Sequence, residues 1–200
     1  TTDRLLAKID WNITDDHRAS FSYSTVEETG ISVDNLSLIS AWYSTPTNLE
    51  TWSAQLFSDW TPNLSTTFRI ANKVYDRGQI CNAGTGVGEI QVRFNEADAT
   101  GTPLEGMLTG ASDRTFLAGC DRFRHGNTFA DERTQVFGSA NYVAGDHLLT
   151  FGADWETYEL NNLFISDSLG TWIFDGSSAA GSNGLQNLID GEADRINYRN

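Results

Sequence analysis

Apolar and polar positions alternate most clearly between residues 134 and 155. Val136, Gly138, Ala140 and Tyr142 share one face of an extended run, and Gln135, Phe137, Ser139 and Asn141 the other. The segment Ala144-Gly145-Asp146-His147 reverses the chain, since Gly and Asp suit the unusual backbone angles of a short turn. On the return arm Leu149, Phe151, Ala153 and Trp155 lie against Leu148, Thr150, Gly152 and Asp154. A period of two over adjacent runs predicts a β-hairpin. The apolar stripe begins and ends at aromatic residues. That is how a strand looks when its outer face meets lipid and its ends lie at two membrane interfaces.

The same pattern predicts hairpins over residues 4–25 and 52–75. The first sets Leu5, Ala7, Ile9, Trp11, Ala19, Phe21 and Tyr23 against polar neighbours. The second sets Trp52, Ala54, Leu56, Trp60, Leu64, Phe68, Ile70 and Val74 likewise, with Phe57 on the polar side and Asn72 on the apolar side as exceptions. Between the hairpins, 26–51, 77–133 and 156–194 read as long loops, with Gly30 and Pro46 as breakers in the first. The third opens by extending the preceding arm over 156–166. A tight turn at 167–170, a return strand at 171–174 and a Gly/Ser-rich stretch at 176–184 follow. Residues 194–200 resemble the start of another strand, so the chain reads as an excerpt of a longer protein.

All short turns then fall at one end of an up-and-down sheet and all long connections at the other, as in transmembrane barrels. Arms of about 8–12 residues match what a tilted membrane strand needs. The predicted fold is all-β: about six antiparallel strands of a larger transmembrane β-barrel. Trp11, Trp60 and Tyr142 would form an aromatic girdle at the short-turn end, and Tyr23, Trp52, Tyr75 and Trp155 one at the far end. Lys8, Asp10, Arg18, Gln55, Asp59, Arg69, Lys73, Asn141 and Asp154 would face the lumen, since charge facing lipid at midplane costs about 2–4 kcal/mol. A soluble β-sandwich, such as a secreted adhesin-like binding module, shares the alternation. The end-placed aromatics and the loop asymmetry favour the barrel.

Charge narrows the partners. The formal net charge is −14, from 27 acidic and 13 basic residues, which suits nucleic acid poorly. No apolar run reaches the ~20 residues of a membrane-spanning helix. Cys81 and Cys120 are the only cysteines, and in an oxidising compartment they predict a disulfide. His17, His125 and His147 read as solvated loop residues rather than metal ligands. Asp190, Glu192 and Asp194 are a weak calcium candidate without the spacing of an EF-hand loop. The glycines of 84–88 lack the phosphate-loop pattern and context. No nucleophilic triad or located carboxylate pair argues for an enzyme, and no cofactor is expected. Trp42, Tyr43, Phe116, Phe123 and Trp172 offer rings either to stack on a sugar or peptide ligand or to pack the loops together.

The stretches KIDWNITDDHRASFSY (8–23), SAQLFSDWTPNLSTTFRI (53–70) and QVFGSANYVAGDHLLTFGADWETYELNNLFISDSLGTWIF (135–174) resemble TonB-dependent outer-membrane receptors. The nearest group is the Oar-like one, which often carries an N-terminal carboxypeptidase-regulatory-like domain. The resemblance covers about two thirds of the chain, and the third stretch is the most specific. It implies a barrel of twenty-two strands closed around an N-terminal plug, with residues 1–200 forming part of that single barrel domain. It also implies energised import of an extracellular ligand, with TonB, plug and lipid bilayer as partners. Neither plug, TonB box nor C-terminal strand falls on these residues, so no energy-coupling residue can be assigned.

Overall fold

The structure, a computed structural model, describes residues 1–34, 36–103, 105–106, 114–176 and 183–199. Much of the predicted Gly/Ser-rich stretch at 176–184 lies outside them. The long strands are β1 (Thr2–Asn12), β2 (His17–Ser32), β3 (Tyr43–Thr61), β4 (Leu64–Gly78), β8 (Gly126–Ala144) and β9 (His147–Ile165). They hydrogen-bond in the order β1-β2-β3-β4-β8-β9, and β5 (Ile80–Cys81) adds to β3. The pairs β1/β2 and β3/β4 are antiparallel. A second sheet of order β11-β10-β6-β7 joins β6 (Glu89–Phe94), β7 (Arg114–Gly119), β10 (Thr171–Phe174) and β11 (Arg195–Asn197).

The chain divides into two compact units. Unit 1 comprises Thr1–Thr29, Pro46–Arg77 and Phe129–Asn162; unit 2 comprises Gly30–Thr45, Gly78–Thr128 and Leu163–Asn200.

In unit 1 the three predicted hairpins are present. Thr14 Oγ1 accepts from the backbone N–H groups of Asp16 and His17 at 3.2 and 3.1 Å, closing the first turn. Thr61 Oγ1 does the same for Asn63 at 3.2 Å in the second. The turns step steadily along the sheet. Asp16, at the end of the first turn, accepts from Asp59 N at 2.9 Å, so Pro62 and Asn63 project beyond it. Asn63 in turn accepts from Val143 N at 2.8 Å, and Gly145 and Asp146 project farther still. A stagger of constant sign is what a sheet of tilted strands closing into a barrel requires.

The strands run longer than the alternation suggests. Much of the expected 26–51 loop is strand, and β9 fulfils the expected extension past Trp155. Beyond Tyr23, Trp52 and Trp155 polar and apolar residues no longer sort by face, so the period-two signal fades although the strands continue. Gly30, read as a breaker, lies inside β2. A Cβ there would meet Thr45 Oγ1 at 2.8 Å, so the threonine hydroxyl occupies the space a side chain would take. Pro46 likewise lies inside β3.

Unit 2 has a core of ordinary kind. Val92, Phe94, Phe174 and Leu185 are buried together, with Ile90, Phe116, Trp172 and Ala193 packed against them. The strand at 171–174 is present but does not return along β9; β10 pairs parallel to β6 and antiparallel to β11. The helix α1 (Gly184–Asp190) interrupts what read as loop. Asn183 caps it by accepting from Gln186 N at 2.8 Å, and Gly191 ends it. In the glycine run, Gly88 serves packing: a Cβ would lie 2.0 Å from Gly170 O.

Candidate functional site

Register assigns every strand residue of unit 1 to one of two faces. Lys8 faces Ser22 and Asp10 faces Ser20 across β1/β2, while Gln55 faces Arg69 across β3/β4. Side-chain bonds carry this polar face across the remaining strands. Ser22 and Ser53 hydroxyls meet at 2.8 Å, Gln135 donates to Asp154 at 2.8 Å, and Thr150 donates to Asn141 at 2.9 Å. All nine residues expected to face a lumen therefore share one face. Ion pairs join Lys8 to Asp10 at 2.9 Å, Lys73 to Asp131 at 3.3 Å, and Arg133 to Glu156. The aromatic exceptions on this face have a physical use. Arg18 lies 5.0 Å from the Phe57 ring centroid, Arg69 lies 5.4 Å from Phe137, and Lys73 lies 5.4 Å from Tyr75. A cation over the ring face allows an aromatic group to stand on a polar wall.

The opposite face is apolar and uncovered. Leu56, Phe68 and Phe151 are 38%, 48% and 62% exposed, and Leu56 pairs with Phe68 within one sheet. They do not meet across an interior between two sheets, as the sandwich would require. Six of the seven expected girdle residues lie here: Trp11, Tyr23, Trp52, Trp60, Tyr142 and Trp155. Trp60 Nε1 donates to Thr66 at 2.9 Å, and its ring lies 5.0 Å from that of His17. Tyr75 is a correction. It pairs with Leu49 on the polar face and meets the Phe129 ring edge-on at 5.8 Å. Asn72, the apolar-face exception, is satisfied by donating to Glu132 and Thr134, each at 3.0 Å.

Charge divides by face as well. Every Lys and Arg of unit 1 (Arg4, Lys8, Arg18, Arg69, Lys73, Arg77 and Arg133) falls on the polar face. The apolar face carries only carboxylates: Asp3, Glu27, Glu50, Asp76, Glu132 and Glu159, one on each strand. All lie past the apolar stripe on the side away from the short turns. The stripe itself carries no charge, which is what hydrocarbon demands of it.

Unit 2 contains the remaining candidates. Cys81 and Cys120 form the expected disulfide, with Cα atoms 5.3 Å apart. Four of the five loop aromatics are at least partly buried. Phe116 and Trp172 pack on the core, Trp42 donates to Ser37 at 3.0 Å, and Tyr43 lies under Arg124 at 4.5 Å. Phe123 stays exposed, with its ring nearly parallel to Phe164 at 6.5 Å. Two of the three acidic candidates accept hydrogen bonds within the chain. Asp190 accepts from Gln186 at 2.9 Å, while Asp194 accepts from the backbone of Asp175 and Gly176 and from Asn187. No trio of metal-ligating side chains occurs among the described residues. His125 is another correction: it bridges rather than hangs in solvent. Its Nε2 donates to Cys120 O at 2.9 Å, and its Nδ1 accepts from Leu169 N at 3.0 Å.

Two carboxylates of unit 2, Glu89 and Asp167, are buried, which the sequence alone did not show. Burial pushes the Asp167 carboxyl up, but bonds from Thr171 at 2.7 Å and Arg122 at 2.9 Å outweigh it and hold it below the usual range. Burial also pushes Glu89 up, and there it prevails over bonds from Gln91 and from Arg122 N at 2.7 Å. The available sequence clue was the Asp167–Thr171 spacing around a glycine turn; Glu89 carried none.

These arrangements suit support and recognition. One face of unit 1 can lie in hydrocarbon, its reverse can bind polar groups, and unit 2 is a disulfide-closed scaffold. A family model described as an outer membrane beta barrel domain matches residues 1–199. No curated protein and no solved structure matches.

Proposed function

We propose, from the premise that this chain belongs to the outer membrane beta barrel domain family, that it forms one arc of a TonB-dependent transporter of the Oar-like group. Membership puts the chain in the bacterial outer membrane, with lipid around the apolar face. On the finer reading, the polar face lines a channel enclosed by further strands and occupied by a plug. Unit 2 then belongs to the extracellular ligand-capturing surface, and TonB supplies the energy for import. The observation that carries this reading is the division of charge: every unit 1 cation turned to one face, beside an apolar stripe edged by aromatics. A wall built that way serves a water-filled passage, not a dry core.

The test is deletion of the full-length gene followed by growth on single candidate nutrients, with TonB deleted in parallel. The expected outcome is loss of growth or uptake on one nutrient class in both strains. Unaltered growth on every class, or uptake that persists without TonB, would overturn the reading.

A further inference from the structure

We propose that His125 is a proton-operated latch on the turn 167–170, which frees that corner of unit 2 when the surroundings pass from neutral to mildly acidic pH. The inference concerns unit 2 alone and stands whether or not the barrel is a transporter. Both ring nitrogens are committed to backbone groups of opposite character. Nε2 donates to Cys120 O at 2.9 Å, and Nδ1 accepts from Leu169 N at 3.0 Å. Those two bonds together exist only for the neutral ring with its proton on Nε2. A second proton, on Nδ1, would point at the Leu169 N–H and set donor against donor.

The turn has reason to move once it is let go. Asp167 has a φ of 59°, the sole positive value at a non-glycine residue among the described residues. Such strain persists only where surrounding bonds over-determine it. Besides His125, the neighbouring segment holds the turn through Asp167 N, which donates to Arg122 O at 3.0 Å, and through the Arg122–Asp167 ion pair at 2.9 Å. From β6, Glu89 N donates to Gly170 O at 3.1 Å. Phe123 and Phe164 lie on the same two segments with their rings nearly parallel and exposed. Freeing Leu169 therefore loosens the setting of an exposed aromatic pair.

The charged groups around this junction respond differently. Asp121 pairs with Arg124 at 3.8 Å, and Arg199 donates to Ser166 Oγ at 3.4 Å and, from its backbone, to Asp167 O at 3.3 Å. Asp167 is held below the usual carboxylate range by Thr171 and Arg122, so it keeps its charge in mild acid. Burial raises Glu89, so the fold favours its protonated form, and acid acts on it in the tightening direction. His17 and His147, the other two histidines, belong to unit 1. Imidazole is the side chain that changes charge between about pH 5 and 8, so loosening of the turn in that range falls to His125.

The experiment is hydrogen–deuterium exchange, read by mass spectrometry, on the full-length protein in detergent micelles. Heat-modifiable gel migration reports that the barrel is folded. Exchange over 163–172 is followed from about pH 8 to about pH 4, corrected for the intrinsic pH dependence of exchange and referred to peptides of β8. Wild type should lose protection there by roughly fivefold, the factor for one ordinary hydrogen bond. His125→Gln, which keeps a donor and an acceptor but does not titrate, should show no such loss. Constant protection in wild type overturns the latch. An identical acid response in the variant overturns it too, assigning the response to a carboxylate. If the variant does not fold, the wild-type midpoint decides: one between about pH 5 and 8 upholds the latch, and one below about 5 overturns it. Import is not read in this experiment, so the latch and the transporter reading fail separately.

Discussion

Unit 1 and unit 2 are both built mainly of strands, yet they dispose of their apolar side chains in opposite ways. In unit 2, Val92, Phe94, Phe174 and Leu185 turn toward one another and exclude water. In unit 1, Ile9, Phe21, Leu56, Phe68 and Phe151 turn away from the protein and remain exposed. One unit carries its apolar medium within itself; the other needs it supplied by the membrane. Alternation establishes that a strand has two unlike environments, and neighbouring structure decides which of them is protein. The expectation follows that unit 2 fails through loss of packing or cross-linking, and unit 1 through charge placed on its outer face.

The sharpest division should come from Phe174→Ala. Emptying the unit 2 core should cost about 3–5 kcal/mol and expose its segments to protease on intact cells, while heat-modifiable migration of the barrel is retained. Cys81→Ser/Cys120→Ser should act on the same unit, removing about 3–4 kcal/mol for a closed loop of this length. Digestion with and without reductant would read it, because only wild type should respond to reductant. The complementary test is Leu56→Arg beside Gln55→Arg. The first should cost about 2–4 kcal/mol of folding stability in lipid vesicles, and its neighbour on the polar face close to none. Equal costs would erase the distinction between faces.

The smallest effect is a pH dependence of unit 2. Glu89 has a raised folded-state pKa, so its contribution is fully present below its ordinary value of 4.5 and is lost as pH rises through the raised one. Glu89→Gln should therefore stabilise unit 2 at neutral pH, by no more than about 1 kcal/mol. The gain should vanish in acid. Asp167 works in the other direction: its stabilisation is present above 3.8 and is lost as pH falls through its depressed value. Thermal melting from about pH 2 to about pH 8 would separate the two, since Glu89 acts above 4.5 and Asp167 below 3.8.

The hairpins were legible in the sequence because a strand between lipid and water imprints a strict period of two, marked by Trp11, Trp60, Tyr142 and Trp155 at its ends. The disulfide was legible because two cysteines allow one pairing. Unit 2 was hidden for a physical reason: its sheet draws β6 and β7, β10, and β11 from widely separated segments, and its strands of three to six residues are too short to show a period. The placement of Tyr75 failed because residue type was weighed above parity. As an odd-numbered residue of β4 it shares a face with Arg69 and Lys73. The roles of Phe57 and Phe137 needed contacts, because neither guanidinium that covers them is adjacent in sequence.

The stepwise overhang of successive turns has an evolutionary corollary. Each hairpin brings its own increment of slip, so a whole hairpin can be duplicated or lost without re-registering those beside it. A single residue inserted within one strand instead reverses the parity of everything beyond it and turns grease toward water. Pore circumference in such proteins should therefore change in units of two strands, and lineages should differ by entire hairpins far more often than by lone residues inside them.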